Sequence, residues 1–157
     1  MIKKTFPITL NYQFDATRNN AKYSLDGEKY MNHGDFCEVL AKHCLGYAPV
    51  KDKNTRFDMG ADIAELNASV KSIRCGLTDM KLGDDPEIWW NRFWTMCDHT
   101  QIVIWVCEHD GEADLWFMNH AEFKEFCEQF ATWDKHNEKY RIQTCSNKTN
   151  AWLEARL

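Results

Sequence analysis

The sequence predicts a single α/β domain in which a mixed β-sheet is flanked by helices. Segments with helical and with strand periodicity alternate along the chain, and one strand is apolar on both faces. No internal repeat, low-complexity tract or long linker divides the 157 residues, so residues 1–157 are interpreted as one domain. A hydrophobic fraction of 44% and an aromatic fraction of 13% favour a packed core over a disordered chain.

The N-terminal segment is expected to be extended. Apolar and polar residues alternate over residues 5–14, which favours a strand. Residues 21–30 contain an Asp-Gly pair, Asp26 and Gly27, which is typical of a tight hairpin turn. The sequence therefore predicts a strand followed by a short hairpin.

The first helix is predicted from apolar residues that recur at helical spacing between Phe36 and Leu45. Asn32 or Gly34 begins this helix and Gly46 ends it. A second hairpin is expected later, with strands near residues 61–64 and 68–74.

The turn of that second hairpin is assigned to Glu65, Leu66 and Asn67. The next predicted element is a helix that begins at Asp85-Pro86, because proline is favoured in a first turn. The run Ile102–Cys107 is almost entirely apolar and β-branched, which is typical of a strand covered on both faces.

The last third of the chain is predicted to contain a strand, a helix and a further strand. An Asp-Gly turn at 110–111 leads into a strand at 113–118, and residues 140–144 form a short final strand. Asn119 and Glu122 have the spacing of a capping box, which predicts the start of a helix. The apolar stripe of this helix is predicted to comprise Phe123, Phe126, Cys127, Phe130 and Trp133.

Composition limits the classes of function. The net charge of -5 and the pI of about 5.7 argue against a large phosphate-binding surface. Seven cysteines without any CxxC pair predict free, buried thiols in a reducing, cytoplasmic environment. The N-terminus has no secretory pattern, and the longest apolar run is too short to span a membrane.

One group of residues has the chemistry of phosphodiester hydrolysis. Ser69 and Lys71 are two positions apart in a predicted strand, so their side chains share a face of that strand. Asp62 lies on the partner strand. A carboxylate can hold Mg²⁺, which activates water. A nearby lysine can orient that water or neutralise developing charge.

The stretch Gly60-Ala61-Asp62-Ile63, followed by Ser69-Val70-Lys71-Ser72, resembles the PD-(D/E)XK nuclease superfamily. In that superfamily an aspartate precedes a (D/E)-x-K element on the next strand, and a preceding helix carries an acidic residue, often within G-x-x-x-E. Here Gly34-Asp35-Phe36-Cys37-Glu38 matches that pattern. The resemblance covers roughly residues 30–133 and implies a restriction-endonuclease-like fold.

The resemblance also implies a site. Asp62 and Glu38 would bind Mg²⁺ or Mn²⁺, Lys71 would position water, and Ser69 would occupy the usual acidic position of (D/E)-x-K. Because a hydroxyl is a poorer ligand than a carboxylate, three interpretations stay open. Glu38 supplies the missing carboxylate, Glu65 supplies it, or the site is inactive.

Two further features complete the prediction. Asp58 competes with Asp62 as the first aspartate of the motif. A local basic cluster is a candidate for contacts with substrate phosphates: Lys51, Lys53, Arg56 and Arg74.

The sequence thus indicates a metal-dependent nuclease that acts on nucleic acid. DNA is the expected substrate, and a homodimer or a partner subunit is a further expectation. The alternatives are a catalytically inactive binding module with the same fold and an unrelated α/β domain that binds a protein partner.

Overall fold

The structure, a computed structural model, describes residues 1–17, 20–25, 33–47, 61–73, 76–80, 100–109, 111–136, 139–144 and 147–157. Within these residues there are nine strands and three α-helices. The strands are β1 (Ile2–Pro7), β2 (Leu10–Asp15), β3 (Asn20–Leu25), β4 (Ala68–Ile73), β5 (Gly76–Met80), β6 (Ile102–His109), β7 (Glu112–Met118), β8 (Ala131–Asp134) and β9 (Lys139–Thr144). The helices are α1 (His33–Leu45), α2 (His120–Phe130) and α3 (Asn147–Glu154).

The central sheet has four strands in the order β1-β7-β6-β4. The pairs β1–β7 and β7–β6 are antiparallel, whereas β6 and β4 are parallel. A parallel pair requires a crossover connection, whereas an antiparallel pair can be joined by a tight turn. Gly111, with a φ of 77°, lies in the short turn between β6 and β7. The fold is therefore mixed α/β, as the sequence predicts.

Strand β6 is buried on both faces, which confirms the interpretation of its apolar run. On one face Val103, Trp105 and Cys107 pack against α2 and α3, and the ring centroids of Trp105 and Phe126 are 5.0 Å apart. On the other face Ile104 and Val106 pack against α1. The residues of α1 that face the sheet are fully buried: Phe36, Cys37, Leu40 and Ala41. The sheet is thus the middle of three layers.

Two smaller sheets lie beside the central one. Strands β2 and β3 form an antiparallel pair, and β5, β9 and β8 form an antiparallel sheet in that order. The β2–β3 pair packs on α1 through Tyr23, whose ring stacks on that of Phe36 with centroids 5.6 Å apart. This pair therefore extends the core on the α1 side of the central sheet.

Several predicted boundaries are wrong. Residues 5–14 form parts of two strands, β1 and β2, which belong to different sheets. Residues 20–25 form β3 and pair with β2, and the predicted hairpin turn at Asp26-Gly27 lies outside the described residues. Helix α2 ends at Phe130, so Trp133 belongs to β8 and not to the helical stripe.

Three elements were not predicted from the sequence: strands β5 and β8 and helix α3. The described chain therefore ends in a helix rather than in a strand and a polar tail. The helix predicted from Asp85-Pro86 lies outside the described residues. Four cysteines in the described part of the chain are free, as predicted, and three of them are buried: Cys37, Cys107 and Cys127.

The capping box of α2 is present. The Asn119 side chain accepts a hydrogen bond from the Glu122 N–H, and the Glu122 carboxylate accepts one from the Asn119 N–H. Glu122 also forms an ion pair with the amino group of Met1. In the part of the chain that the structure describes, no helix is long and apolar enough to cross a membrane.

Asn67 provides a test of the turn before β4. Its φ of 46° and ψ of 49° lie in the left-handed region, where a β-branched side chain is strained. We expect Asn67→Val to lower the free energy of unfolding by about 1–2 kcal/mol. Asn67→Gly is expected to change it by less than about 1 kcal/mol. Urea denaturation measures both, and equal losses in the two variants would contradict this account.

The contribution of Glu122 to stability can be tested through its pH dependence. Burial opposes its ionisation, but hydrogen bonds from the amino terminus and from the Asn119 N–H outweigh burial and lower the pKa below the ordinary value of 4.5. Because the pKa is lowered in the folded state, the ionised Glu122 carboxylate stabilises the fold above about pH 4.5. This contribution is lost as the pH falls through the pKa of the folded state.

We therefore expect Glu122→Gln, which can retain the capping box, to be less stable than the wild type at pH 7. The loss should be on the order of 0.5 kcal/mol, because solvent still screens this partly buried ion pair. The difference should shrink below about pH 4.5. Melting temperatures measured along a pH series test this, and a difference that stays constant down to acid pH would oppose it.

Candidate functional site

The site begins at a tight connection before strand β4. Residues Ala64–Leu66 form one 3-10 turn, and Asn67 follows in the left-handed conformation. Ile63 then forms an antiparallel bridge with Ala68, with backbone N–H groups donating in both directions at 3.0 and 3.1 Å. The segment before the turn is thereby held along the outer edge of β4, as in the predicted hairpin, but the predicted strand near residues 61–64 is reduced to the single bridge at Ile63.

Asp62 is the residue that this hairpin positions. Its Oδ2 atom accepts a hydrogen bond from the Val70 N–H at 2.7 Å and one from the Ser69 Oγ at 3.3 Å. The Asp62 N–H donates to the carbonyl of Ala68 at 2.9 Å. The aspartate therefore lies beside Ser69, as the sequence predicts. Its carboxylate also satisfies a backbone N–H at the edge of the sheet, a role that the side-chain pattern did not indicate.

Ser69 and Lys71 lie on the same face of β4. Ala68 and Val70 point to the opposite face and pack in the core with α1. Because side chains alternate along a strand, Ser69 and Lys71 face the side that α2 and α3 cover on the neighbouring strand. Ser69 is buried, with 8% of its surface exposed, and Lys71 is partly exposed. Lys71 is the register partner of Trp105 in β6.

Glu38 belongs to the first half of α1. It is carried by α1, which packs on the Ala68 and Val70 face of the sheet. The start of α1 lies level with the end of β6, because the Cys37 Sγ donates to the Glu108 Oε2 at 3.8 Å. Glu38 follows Cys37 in this helix and is partly exposed.

Glu65 is an exposed residue of the 3-10 turn that precedes β4. No group of three or more His, Cys, Asp or Glu side chains in the described parts of the chain could hold a metal ion. Within these residues, the candidate metal ligands are thus the Asp62 carboxylate and the Ser69 hydroxyl beside it. Asp58 and the four basic candidates Lys51, Lys53, Arg56 and Arg74 lie outside the described residues.

A second polar cluster, which the sequence analysis did not identify, joins β1, β7 and α3. The Asp114 carboxylate is buried, accepts a hydrogen bond from the Thr5 Oγ1 at 2.6 Å and pairs with the Lys3 Nζ at 3.3 Å. Lys3 also donates to Glu154 of α3 at 2.7 Å. These groups satisfy one another, and the cluster is accounted for as a structural network that attaches α3 to the sheet.

The chain matches no protein-family model, and neither a similar curated protein nor a similar solved structure was found. The PD-(D/E)XK resemblance therefore depends on the residues of this chain alone. Of the predicted site residues, the structure brings Asp62 and Ser69 into contact and places Lys71 on the Ser69 face.

The structural role of Asp62 is directly testable. Asp62→Ala removes the acceptor of the Val70 N–H, and leaving a shielded donor unpaired costs about 1–3 kcal/mol of the free energy of unfolding. Asn has a side chain of the same length as Asp and keeps an acceptor oxygen, so Asp62→Asn is expected to lose less of the free energy of unfolding. Urea denaturation of the two variants measures the difference. Equal stability of Asp62→Ala and the wild type would show that this hydrogen bond does not stabilise the fold.

Proposed function

We propose that the chain is a divalent-metal-dependent nuclease that hydrolyses phosphodiester bonds, with DNA as its substrate. One observation supports this proposal above the others. The Asp62 carboxylate lies 3.3 Å from the Ser69 hydroxyl on the strand that carries Lys71. A carboxylate on one segment and a lysine on the adjacent strand are the elements that the resemblance to PD-(D/E)XK nucleases requires.

The order of elements around this site gives further support. Helix α1 precedes the Asp62 segment, which is antiparallel to β4. Strand β5, which belongs to another sheet, comes next, and the parallel strand β6, β7 and α2 follow it. The superfamily has the same sequence of features: an acidic helix, an aspartate, a strand with x-K, and later strands and helices. A restriction-endonuclease-like fold is therefore part of the proposal.

The residues present are compatible with Mg²⁺ or Mn²⁺. Mg²⁺ usually keeps several water ligands and is bound through one or two carboxylates together with substrate phosphates. Asp62 supplies one carboxylate, and Ser69 supplies a neutral oxygen next to it. When bound, the ion would lower the pKa of a water molecule and stabilise charge on the phosphate. Glu38 stays a sequence-based candidate for a further ligand.

Lys71 has the proposed role of neutralising charge and orienting water. It follows Ser69 by two positions on the same strand face, next to the residue that contacts Asp62. Its partial exposure leaves it accessible to a phosphate group. The proposed contacts to the more distant phosphates are those of Lys51, Lys53, Arg56 and Arg74.

A second candidate function is a catalytically inactive nucleic-acid-binding module with the same fold. A specific observation favours it: Ser69 stands at the acidic position of the motif, and its hydroxyl, with the Val70 N–H, donates to the Asp62 carboxylate. A site in which the aspartate only stabilises a strand edge would have this arrangement.

Cleavage of supercoiled plasmid and single-stranded DNA with Mg²⁺ or Mn²⁺ distinguishes the two functions. For the nuclease, we expect metal-dependent cutting that falls by about 100-fold or more in Asp62→Asn and in Lys71→Ala. Asp62→Asn is used because it preserves the hydrogen-bond acceptor for Val70. Lys124→Ala is the matched control, since Lys124 is an exposed lysine on α2.

Cutting that persists in both site variants would overturn the assignment of the site. No cutting by folded wild type would favour the inactive module. In that case, Ser69→Asp restores the second carboxylate, and cutting gained by this variant would identify Ser69 as the cause of the inactivity.

A further inference from the structure

Strand β2 has an exposed apolar face. Leu10, Tyr12 and Phe14 alternate along this strand, so they share a face, and their exposed fractions are 36%, 55% and 52%. On the paired strand β3, the register partners Leu25 and Tyr23 lie on the same face but are buried together with residues of α1. The apolar face that begins under α1 therefore continues onto β2, where it is exposed.

The edge of β2 lacks the usual protection against pairing. Among the described strands, β2 pairs only with β3. Natural sheets protect such edges with lysines, prolines or a covering segment. At the edges of the central sheet, β1 carries Lys3, Lys4 and Pro7. The outer side of β4 is bridged by the segment that carries Asp62. By contrast, residues 10–14 include no charged residue and no proline, so the edge of β2 is suited to pairing with another extended segment.

The order of residues in β2 is self-complementary about Tyr12. If two copies of β2 lie antiparallel with their Tyr12 residues opposite each other, Leu10 of each copy faces Phe14 of the other on the apolar face. On the other face, Asn11 of each copy then faces Gln13 of the other. A shift of one residue would place Tyr12 opposite Gln13 and mix apolar with amide side chains. Only the register centred on Tyr12 pairs all three apolar residues within the strand.

We propose that two copies of this chain associate through the edges of β2, so that the β2–β3 pairs of both copies form one four-stranded antiparallel sheet. Charge is compatible with this contact. Asp15, the one charged residue of β2, lies beyond the pairs formed by residues 10–14, so the paired edge brings no like charges opposite each other. This association does not depend on the proposed nuclease activity, because none of the proposed site residues lies in β2 or β3.

The size of the contact sets its expected strength. A fully covered aromatic side chain buries about 150–250 Å², and Tyr12 and Phe14 are each about half exposed. The four rings of two copies therefore supply about 300–500 Å². With the two leucines and the strand backbones, the total is expected to stay below about 1,200 Å², the lower limit of standard stable interfaces. The expected dimer is thus weak and reversible, with a dissociation constant in the micromolar range.

Sedimentation equilibrium of the whole chain at about 1 to 500 µM measures this association. In the wild type, we expect the average mass to rise with concentration from 18.5 kDa towards twice that value. Tyr12→Lys would place two ammonium groups opposite each other at the centre of the paired edge, so we expect the dissociation constant to rise at least about 5-fold. Because Tyr12 is 55% exposed, this lysine can be solvated in the monomer, and circular dichroism checks that the variant is folded.

Gln13→Lys is the matched control, since it adds the same charge at the neighbouring exposed residue on the opposite face. In the proposed register that lysine faces the Asn11 amide rather than a second lysine, so we expect the dissociation constant to change by less than about 2-fold. Phe14→Ser gives an independent variant. It removes a half-exposed ring that faces Leu10 in both symmetric pairs, and the dissociation constant should rise at least about 3-fold.

A mixture of two variants tests the position of the symmetry axis. Tyr12→Glu places two carboxylates opposite each other, and we expect it to associate as weakly as Tyr12→Lys. In the mixture, the lysine of one copy faces the glutamate of the other, so the two variants should bind each other at least about 5-fold more tightly than either binds itself. Fluorescence anisotropy of one labelled variant, titrated with the other, measures this difference.

Three results would overturn the association through β2. Wild type that stays at the monomer mass at every concentration would leave the edge of β2 to an extended segment of a different protein. A dimer unchanged by Tyr12→Lys and Phe14→Ser would use another surface. Equal losses in Tyr12→Lys and Gln13→Lys, or no gain in the mixture, would reject the pairing about Tyr12. Each result is independent of the cleavage assays, so failure here leaves the nuclease proposal standing.

Discussion

Strand β6 contacts helices on both of its faces and strands on both of its edges, and the remaining elements are arranged around this requirement. A strand without a solvent-facing side needs a cover above and below the sheet, which α1 provides on one side and α2 with α3 on the other. Its apolar residues alternate between two separate clusters, so a slip of one residue would exchange the two environments. The same arrangement puts β4 next to β6 and leaves the outer side of β4 for the segment that carries Asp62.

The parts of the fold that local chemistry determines could be predicted from the sequence. The capping box of α2 is encoded by Asn119 and Glu122 alone, and the burial of β6 follows from its uninterrupted apolar composition. The parts that depend on pairing could not. Residues 5–14 alternate like one strand, yet the chain turns after Pro7, and the two halves pair with different partners. Trp133 continues a helical period, but the chain becomes extended at Ala131, where β8 pairs with β9.

The candidate site likewise has parts that could be predicted from the sequence and parts that could not. The contact between Asp62 and Ser69 was predictable because a short turn joins two adjacent segments, and same-face placement of Ser69 and Lys71 follows from strand geometry. The position of Glu38 was not predictable. A G-x-x-x-E pattern describes spacing along one helix, whereas the distance to Asp62 depends on how α1 packs across the sheet. That packing is fixed by residues on another face of α1, such as Phe36 and Leu40.

The hydrogen bond from Val70 to Asp62 has a consequence for evolution. An aspartate that serves only as a metal ligand is free to change once catalysis is no longer selected. The Asp62 carboxylate satisfies a backbone donor at the edge of the sheet, so its loss would weaken the fold whether or not a chain has enzymatic activity. Retention of this aspartate in a related chain would therefore be weak grounds for assigning activity to it. Lys71 points away from the α1 core and satisfies no backbone group within the described residues, so position 71 would be the more informative one to compare.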